Sequence, residues 1–357
     1  MKRSITVLIT IVTVIIILVA AVAVYQYYNL PPKTNLLVFA AGSLSVPFTQ
    51  LAQNFEKANP NIAVQLNFAG SVALMRQIET NGSTDVYASA DWTIVPQMYP
   101  NYANYDIGFA LNQMALVYNN QTLKFLGISS INQSNWYQVL ENPNAKFGFS
   151  DGNQDPAGYS ALMVMALANI YYGQNVFQNL VQNYSNINLV QNATNYNVQL
   201  PPTTSLKFNT NKIMIEAKET DLLPYLESNQ IQFLWIYKSD AIQKGLPYIQ
   251  LPDELNMGSV NSTVVGNYYN NVHVYQGYGS SSQKLLNCAP IVYGVTIPKT
   301  AQHSQDAALF IKYLLETNGQ NVMSNAGQIP VFPAYVDNAS NVPQTLSKDI
   351  TSSGPQP

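Results

Sequence analysis

The chain has 357 residues, of which 47% are hydrophobic and only 10% are charged, against about 25% charged in an ordinary soluble protein. This length and apolar content suffice for two hydrophobic cores. The formal net charge is −3 and there is no basic run, which excludes the phosphate-neutralising surface of a nucleic-acid-binding protein. The single cysteine, Cys288, excludes an internal disulfide, and we expect a buried, inert thiol there.

The first predicted element is a membrane anchor in residues 1–28. Residues 5–24 carry no charge and follow Lys2 and Arg3, so they are long enough to span a bilayer with the N-terminus in the cytoplasm. A cleavable signal peptide is the alternative, because Ala21-Val22-Ala23 resembles a processing site. In either case the rest of the chain is exported. Glycosylation outside the cell is indicated by seven Asn-x-Ser/Thr sequons, at Asn81, Asn120, Asn132, Asn183, Asn192, Asn261 and Asn338.

Strands and helices are predicted to alternate after a stiff, Pro-containing linker at residues 29–34. The predicted strands are residues 36–40, 62–68, 85–88, 113–118, 146–149, 233–237 and 291–297. The predicted helices are residues 48–58, 72–79, 92–98, 158–172, 221–227 and 307–315. This alternation predicts an α/β fold with parallel sheets flanked by helices. Residues 257–287 show no clear period and are predicted to be a loop or irregular hairpin, and the polar tail from residue 341 onward is predicted to fray.

The sequence Ala-Gly-Ser occurs twice where a predicted strand passes into a predicted helix, at residues 41–43 and 69–71. Glycine permits close approach to the backbone, and the free N–H groups of a helix N-terminus attract anions. Gly42, Ser43, Gly70 and Ser71 are therefore candidate ligands of one small dianion beyond the carboxyl ends of neighbouring parallel strands. The alternative is that both serines are ordinary N-caps. Arg76 lies past the first turn and is predicted to be a solvated surface charge.

These turns belong to a longer series of motifs that resembles the molybdate/tungstate-binding proteins of archaeal ABC importers. The resemblance covers residues 36–333. The motifs are AAGSLSVPF (40–48), NFAGSVALMRQI (67–78), DVYASADWTIVPQM (85–98), SDGNQDPAGYSALMV (150–164), KETDLL (218–223), FLWIYKSDA (233–241), PIVYGVTIPK (290–299) and GQIPVFP (327–333).

The resemblance implies a two-lobed periplasmic-binding-protein fold of type II, with a mostly parallel sheet in each lobe. Lobe I would comprise residues 35–112 and 291–340, lobe II residues 113–290, and residues 341–357 a tail. The chain would cross between lobes near residues 111–114 and 290–295. The resemblance places the two carboxylates that bind the metal of the oxyanion at Asp155 and Glu219, and the hydroxyls that hold its oxygens at Ser43, Ser71 and Tyr237. The basic residue that the family often has after Gly-Tyr is Ser160 here.

Electrostatics makes the two carboxylates informative. At about 4 Å and an effective dielectric near 20, a carboxylate and a dianion repel each other by about 8 kcal/mol. Direct bonding to a large hexavalent metal removes this conflict, because hard oxygen donors suit such a metal and sulfur or phosphorus cannot readily add ligands. Simpler interpretations remain: Asp155 and Asp91 as helix N-caps, Glu219 as a first-turn acid and Tyr237 as a packing residue.

The predicted function is that of a solute-binding protein, not an enzyme. Only two histidines exist, His273 and His303, and there is no nucleophile elbow or metal-ligand spacing. We expect a monomer on the extracellular face of the membrane that captures tungstate or molybdate, needs no cofactor, and delivers the anion to an ABC permease and its ATPase. The alternatives are a sulfate- or phosphate-binding protein of the same fold and a surface adhesin.

Overall fold

The computed structural model describes residues 11–22, 25, 33–80 and 82–353 of the chain. Residues 11–22, inside the predicted anchor, are helical and expose apolar side chains such as Leu18, which is 58% exposed. Residues 1–10, 23, 24 and 26–28 of that segment, most of the predicted linker and the sequon residue Asn81 lie outside the described part. Within the described part, no helix has both the length and the apolar character required to cross a bilayer.

Sixteen β-strands occur among the described residues. They are β1 (Thr34–Ala41), β2 (Ile62–Ala69), β3 (Val86–Ser89), β4 (Ile107–Leu111), β5 (Met114–Tyr118), β6 (Phe147–Ser150), β7 (Asn188–Asn192), β8 (Asn195–Leu200), β9 (Ile213–Glu216), β10 (Phe233–Tyr237), β11 (Tyr248–Ile249), β12 (Val272–Gln276), β13 (Lys284–Asn287), β14 (Val292–Thr296), β15 (Ile329–Val336) and β16 (Ile350–Thr351).

Twelve α-helices connect these strands in the described chain after residue 33. They are α1 (Ser45–Ala58), α2 (Ser71–Thr80), α3 (Thr122–Leu126), α4 (Trp136–Glu141), α5 (Pro156–Tyr172), α6 (Val176–Leu180), α7 (Leu223–Glu227), α8 (Lys238–Lys244), α9 (Asp253–Asn256), α10 (Ser262–Asn267), α11 (Ser304–Leu315) and α12 (Thr317–Asn325). The 3-10 helices are Gly42–Leu44, Trp92–Met98, Gln182–Tyr184, Thr203–Ser205, Glu219–Leu222, Tyr269–Asn271, Ala339–Asn341 and Gln344–Leu346.

The apolar pattern of the helices explains where they pack. In α1 the buried side chains include Phe48, Leu51, Ala52 and Phe55, which form one stripe at helical spacing that faces the sheet. Helix α5 is buried nearly all round, from Pro156 through Asn169, as expected for an apolar helix enclosed by other elements. The largest hydrophobic core runs without interruption from β1 through α5 to α11.

The prediction of mostly parallel sheets is correct only in part: four of the five strands in the five-stranded sheet run in one direction, but the seven-stranded sheet is mixed. The seven-stranded sheet has the order β16-β15-β4-β14-β3-β1-β2, and the five-stranded sheet has the order β11-β5-β10-β6-β9. Strands β1, β2 and β3 are parallel, but β14 runs antiparallel to both β3 and β4. The physical reason is the path of the chain, which leaves the first sheet through β4 and returns beside it, in the opposite direction, through β14.

The chain passes between sheets close to the predicted crossings. It leaves the seven-stranded sheet after Leu111, enters the five-stranded sheet at Met114, and returns to the first sheet at Val292. Residues 114–287 thus supply the five-stranded sheet and a four-stranded sheet of order β13-β12-β8-β7. For brevity, we call the part that carries the seven-stranded sheet the first half and the part that carries the other two sheets the second half. The exact domain limits remain a prediction.

Two segments are more ordered than the sequence indicated. Residues 257–287 form helix α10 and an antiparallel β12–β13 pair, and β12 also pairs in parallel with β8. The polar tail does not fray at residue 341, because Leu346 is fully buried and Ile350 pairs with Ala334 of β15. In both segments pairing with distant strands supplies the order, which local periodicity does not report.

A buried acid in the seven-stranded sheet gives a prediction about stability. Asp106 is fully buried and neither carboxylate oxygen has a partner among the described residues. Burial raises the pKa of Asp106 well above its usual range, and the nearby Asp337 and Asp91 carboxylates raise it further. Tyr99 also belongs to this cluster, since its hydroxyl donates to Asp337. A raised pKa means that the protonated form of Asp106 is the one that suits the fold.

We therefore expect Asp106→Asn to stabilise the protein in neutral and alkaline solution. Protonated Asp106 contributes to the free energy of unfolding. This contribution is fully present below the unfolded-state pKa of about 3.9 and is lost as pH rises through the folded-state pKa. At pH 8 the substitution should raise the free energy of unfolding by about 2 kcal/mol, and near pH 4 the gain should vanish. Urea unfolding of the full-length chain at both pH values measures this. A gain that is equal at both values, or equal to that of the control Asp306→Asn, would contradict it.

Candidate functional site

The two Ala-Gly-Ser turns lie side by side, as predicted. Strands β1 and β2 pair in parallel with Ala41 opposite Ala69, so both strands deliver their turns to the same edge of the sheet. Ser43 lies in the 3-10 helix that precedes α1, and Ser71 is the first residue of α2. Both serine side chains are fully buried.

Neither serine hydroxyl caps its own helix. The Ser71 hydroxyl accepts a hydrogen bond from the Ala90 N–H at 3.0 Å, and the Ser43 hydroxyl accepts one from the Tyr293 hydroxyl at 2.9 Å. Both oxygens therefore receive hydrogen bonds from elsewhere in the first half. The N-cap interpretation of these serines is not what the structure shows.

Asp155 and Glu219 come together on the second half. Asp155 is the N-cap of α5, and its Oδ1 accepts from the Ala157 N–H at 3.4 Å. Its Oδ2 accepts from the Glu219 N–H at 2.9 Å. The capping interpretation of Asp155 is thus correct, and the same carboxylate also holds the start of the Glu219–Leu222 helix beside it.

The turns of the first half meet these acids across the interface between the halves. A Cβ atom on Gly42 would lie 3.2 Å from Glu219 Oε1. A Cβ atom on Gly70 would lie 2.4 Å from the Gln154 carbonyl oxygen and 3.1 Å from Asp155 Cβ. The Ala73 N–H also donates to the Gln154 carbonyl at 3.2 Å. Only glycine at position 70 allows so close an approach, which places the two Ala-Gly-Ser turns against the part of the second half that carries Asp155 and Glu219.

Glu219 is the most unusual group of the site. It is 1% exposed, and neither of its carboxylate oxygens has a hydrogen-bond partner among the described residues. Burial raises the pKa of Glu219 well above its usual range, and the Asp155 carboxylate raises it further. An unpartnered buried carboxylate is costly unless a ligand satisfies it. Its oxygens are therefore available to a ligand that donates hydrogen bonds or accepts electron pairs.

Tyr237 and Asp240 add two further buried groups. The Tyr237 hydroxyl has no partner within the described chain, and burial raises its pKa well above the usual range. Asp240 Oδ2 also has no hydrogen-bond partner among the described residues, and burial together with the Asp155 charge raises the pKa of Asp240. Within the described chain, the Lys244 charge lowers the pKa of Asp240, but no cation forms an ion pair with Asp155, Glu219 or Asp240.

Four other residues singled out in the sequence lie in ordinary structural roles, as a helix cap, buried side chains or an exposed charge. Asp91 is an N-cap, as predicted, accepting from the Thr93 N–H at 2.8 Å, and it also accepts from the Tyr159 hydroxyl across the interface. Ser160, which stands where the family often has a basic residue, is buried in α5. Arg76 is exposed and Cys288 is a buried free thiol, both as predicted.

Sequence reasoning missed three polar residues beside the site: Asn112, Asp240 and Tyr293. Asp240 and Tyr293 lie within motifs that carry the family resemblance, FLWIYKSDA and PIVYGVTIPK, and that is the one signal that marked them. Asn112 lies at the first crossing between sheets and in none of those motifs. Their shared feature is burial of a polar side chain, which only the folded structure reveals.

This arrangement can bind an anion whose centre accepts oxygen ligands. Serine hydroxyls, the Tyr237 hydroxyl and the backbone of two helix N-termini are hydrogen-bond donors for oxo groups. The Asp155 and Glu219 carboxylates, which lie on the second half as Tyr237 does, are hard oxygen donors. A site that carries both kinds of group suits a species with a negative shell and an electron-poor centre.

The comparison with protein families decides the class of protein. The family described as "Bacterial extracellular solute-binding protein" matches residues 36–328. The chain belongs to this solute-binding family. Its name describes binding of solutes outside the cell, in agreement with the predicted class and with export of residues beyond the N-terminal segment.

Two relatives of this solute-binding protein carry the name that the motifs had indicated. The Molybdate/tungstate-binding protein WtpA of Thermococcus kodakarensis is 36% identical over 321 residues, covering 88% of this chain and 86% of the relative. The protein of the same name from Pyrococcus abyssi is 35% identical over 318 residues, covering 87% and 88%. The family resemblance seen in the sequence is confirmed.

Solved structures agree with the fold. The periplasmic molybdate-binding protein of Azotobacter vinelandii superposes with a TM-score of 0.55 at 16% identity, covering 82% of this chain and 98% of that one. The sulfate-binding protein SubI of Mycobacterium tuberculosis gives 0.57 at 11% identity, covering 84% and 88%. Because proteins with names for different anions share the fold, the fold alone does not decide the ligand.

Proposed function

We propose that this protein binds tungstate or molybdate between its two halves and is the solute-binding component of an ABC importer. One observation carries the proposal: Glu219 presents a buried carboxylate with no partner in the described chain, directly beside Asp155 and the Gly42 turn. The names of the two archaeal relatives support it independently.

In this proposal two sets of groups bind different parts of the anion. Gly42, Ser43, Gly70, Ser71 and Tyr237 hold the oxygens through hydroxyl and backbone donors. The Asp155 and Glu219 carboxylates bond to the metal, which turns their repulsion of a dianion into attraction. No cofactor is needed, because the oxyanion itself supplies the metal.

Sulfate is the alternative ligand within the same fold. Sulfur does not readily add ligands, so two acids without a neutralising cation would repel sulfate rather than bind it. The acids therefore favour tungstate or molybdate over sulfate and phosphate, although SubI shows that a protein with this fold can carry the name of a sulfate-binding protein.

The cellular setting follows from the family and the sequence. We propose that the two halves act as lobes that close on the anion by hinge motion about the crossings near residues 112 and 291, as a monomer that docks on a permease with its ATPase. The N-terminal segment would anchor the protein at the outer face of the membrane. Six sequon asparagines lie in the described chain and all are exposed, which supports glycosylation at Asn120, Asn132, Asn183, Asn192, Asn261 and Asn338.

Calorimetric titration of the purified full-length chain in a mild detergent tests the function. We expect tungstate and molybdate each to bind at one site per chain, and sulfate and phosphate to bind far more weakly or not at all. Preference for sulfate or phosphate would favour the alternative ligand, and no binding of any of the four anions would contradict the proposal.

A further inference from the structure

Three buried polar side chains form a hydrogen-bonded series that runs from the first crossing between the sheets to Ser43, one of the residues proposed to hold the oxyanion. Asn112, which is 2% exposed and lies between β4 and β5, donates from Nδ2 to the Tyr293 hydroxyl at 2.7 Å. Tyr293, fully buried in β14 at the return crossing, donates to the Ser43 hydroxyl at 2.9 Å. We refer to this series as the Asn112–Tyr293–Ser43 chain.

The direction of the hydrogen bonds is fixed at the Asn112 end. Asn112 Oδ1 accepts from the Gln113 N–H at 2.9 Å, which places the amide NH2 group on the other side. That NH2 group donates to both the Tyr293 hydroxyl and the Ser239 hydroxyl, the latter at 2.8 Å. The Gln113 N–H, which can only donate, thus sets the amide orientation of Asn112, and the Tyr293 hydroxyl faces the amide NH2 group.

The same direction continues to Ser43. Because the Tyr293 oxygen accepts from Asn112, its single proton is free for Ser43, and burial raises the Tyr293 pKa so that the phenol keeps this proton. The Ser43 oxygen accepts that proton's hydrogen bond. No hydrogen bond donated by the Ser43 hydroxyl is present among the described residues, so its own proton remains available. Ser43 directly follows Gly42, where a Cβ atom would lie 3.2 Å from Glu219 Oε1.

We propose that Asn112 and Tyr293 are positioning residues that hold the Ser43 hydroxyl as a hydrogen-bond donor toward the bound oxyanion. The inference rests on the proposed function and deepens it. Tungstate and molybdate oxygens are unprotonated and only accept hydrogen bonds, so a hydroxyl already turned toward them binds without reorientation. A serine without such partners rotates freely and donates or accepts alike.

A double-mutant cycle on tungstate affinity tests the chain. Tyr293→Phe removes only the hydroxyl and should weaken binding about tenfold, and Ser43→Ala should do at least the same, about tenfold. If Tyr293 acts through Ser43, then Tyr293→Phe in the Ser43→Ala background should change the affinity by less than about twofold. Asn112→Ala should weaken binding about threefold in the wild type, with no further loss in the Tyr293→Phe background.

Controls separate positioning from a general loss of structure. Tyr269→Phe is the matched control, because Tyr269 is a fully buried tyrosine whose hydroxyl donates to the Asp253 carbonyl, outside the proposed site. It should leave tungstate affinity unchanged. Urea unfolding of each variant without anion shows whether the variant is folded, and Asn112→Ala provides a second test of the chain if Tyr293→Phe is not.

Two results would overturn the inference. Additive losses in the Tyr293 and Ser43 cycle would mean that Tyr293 does not act through Ser43. Unchanged affinity in Tyr293→Phe would mean that the orientation of Ser43 does not matter. Either result leaves tungstate binding by the wild-type chain intact, whereas absence of that binding would instead refute the proposed function, and the positioning role with it.

Discussion

Glu219→Gln should weaken tungstate binding by about 100-fold or more, because even residues that only support metal ligands cost about 10- to 100-fold when replaced. The Glu219 carboxylate is buried beside Asp155 and has no hydrogen-bond partner among the residues that the structure describes, and we assign it to the metal. Glutamine keeps the shape of the side chain but removes its negative charge and one of its two oxygen donors.

The contrast between anions makes this prediction specific. Sulfate cannot form a bond between its centre and the carboxylate. Removing the negative charge should therefore lower the repulsion and improve any weak sulfate binding. Equal losses for tungstate and sulfate would contradict the assignment of Glu219 to the metal. Glu227→Gln is the matched control, since Glu227 is exposed at the end of α7, and it should change neither affinity. Calorimetric titration of the full-length variants measures both anions.

The same substitution should have the opposite effect on the protein without anion. Burial and the Asp155 charge raise the pKa of Glu219. At pH 7 either the burial of its charge or its protonation therefore lowers the free energy of unfolding of the anion-free protein. We expect Glu219→Gln to raise the free energy of unfolding by about 1 kcal/mol at pH 7. Opposite changes in stability and affinity are typical of a group kept for function rather than for folding.

Gly70→Ala should weaken tungstate binding by about 100-fold, close to the upper end of overpacking costs of about 1–3 kcal/mol. The added Cβ would lie 2.4 Å from the Gln154 carbonyl oxygen and 3.1 Å from Asp155 Cβ. The first contact involves backbone, which cannot rotate away as a side chain can. The turn that carries Ser71 would therefore be held away from the wall that carries Asp155.

The Gly70→Ala substitution should reduce the free energy of tungstate binding more than it reduces the free energy of unfolding. Gly70 is buried against Gln154 of the opposite half, so we expect the unliganded halves to separate slightly and relieve the clash. We expect the free energy of unfolding without anion to change by less than about 1 kcal/mol. Gly266→Ala is the control, because a Cβ there meets nothing within 4 Å. Tungstate affinity close to that of the wild type would show that the approach of Gly70 to Gln154 is not needed for binding.

The elements that could be predicted are those whose cause is local. Apolar spacing at Phe48, Leu51 and Phe55 predicts α1, and the repeated Ala-Gly-Ser turns predict two helix N-termini at one sheet edge, which the β1–β2 register confirms. Asp155 followed by Pro156 predicts an N-cap, and the structure contains it. In each case a few neighbouring residues determine the conformation.

Long-range contacts account for what could not be predicted. The antiparallel placement of β14, the parallel pairing of β12 with β8 and the docking of β16 depend on partners far apart in the chain. The Tyr293 hydroxyl reaches Ser43 across 250 positions, and no periodicity in either segment reports it. The lack of hydrogen-bond partners for Glu219 among the described residues is likewise a property of the folded chain, since its sequence context alone also suits a first-turn acid.

The central claim is that carboxylates of the second half bond directly to the metal of the captured anion. X-ray absorption at the tungsten edge, measured on the tungstate-loaded full-length chain and on its Glu219→Gln variant, tests this most directly. We predict an expanded, roughly octahedral shell of oxygen atoms that includes Asp155 and Glu219, reduced by one ligand in the variant. A tetrahedral shell identical to that of free tungstate in both proteins would contradict the claim.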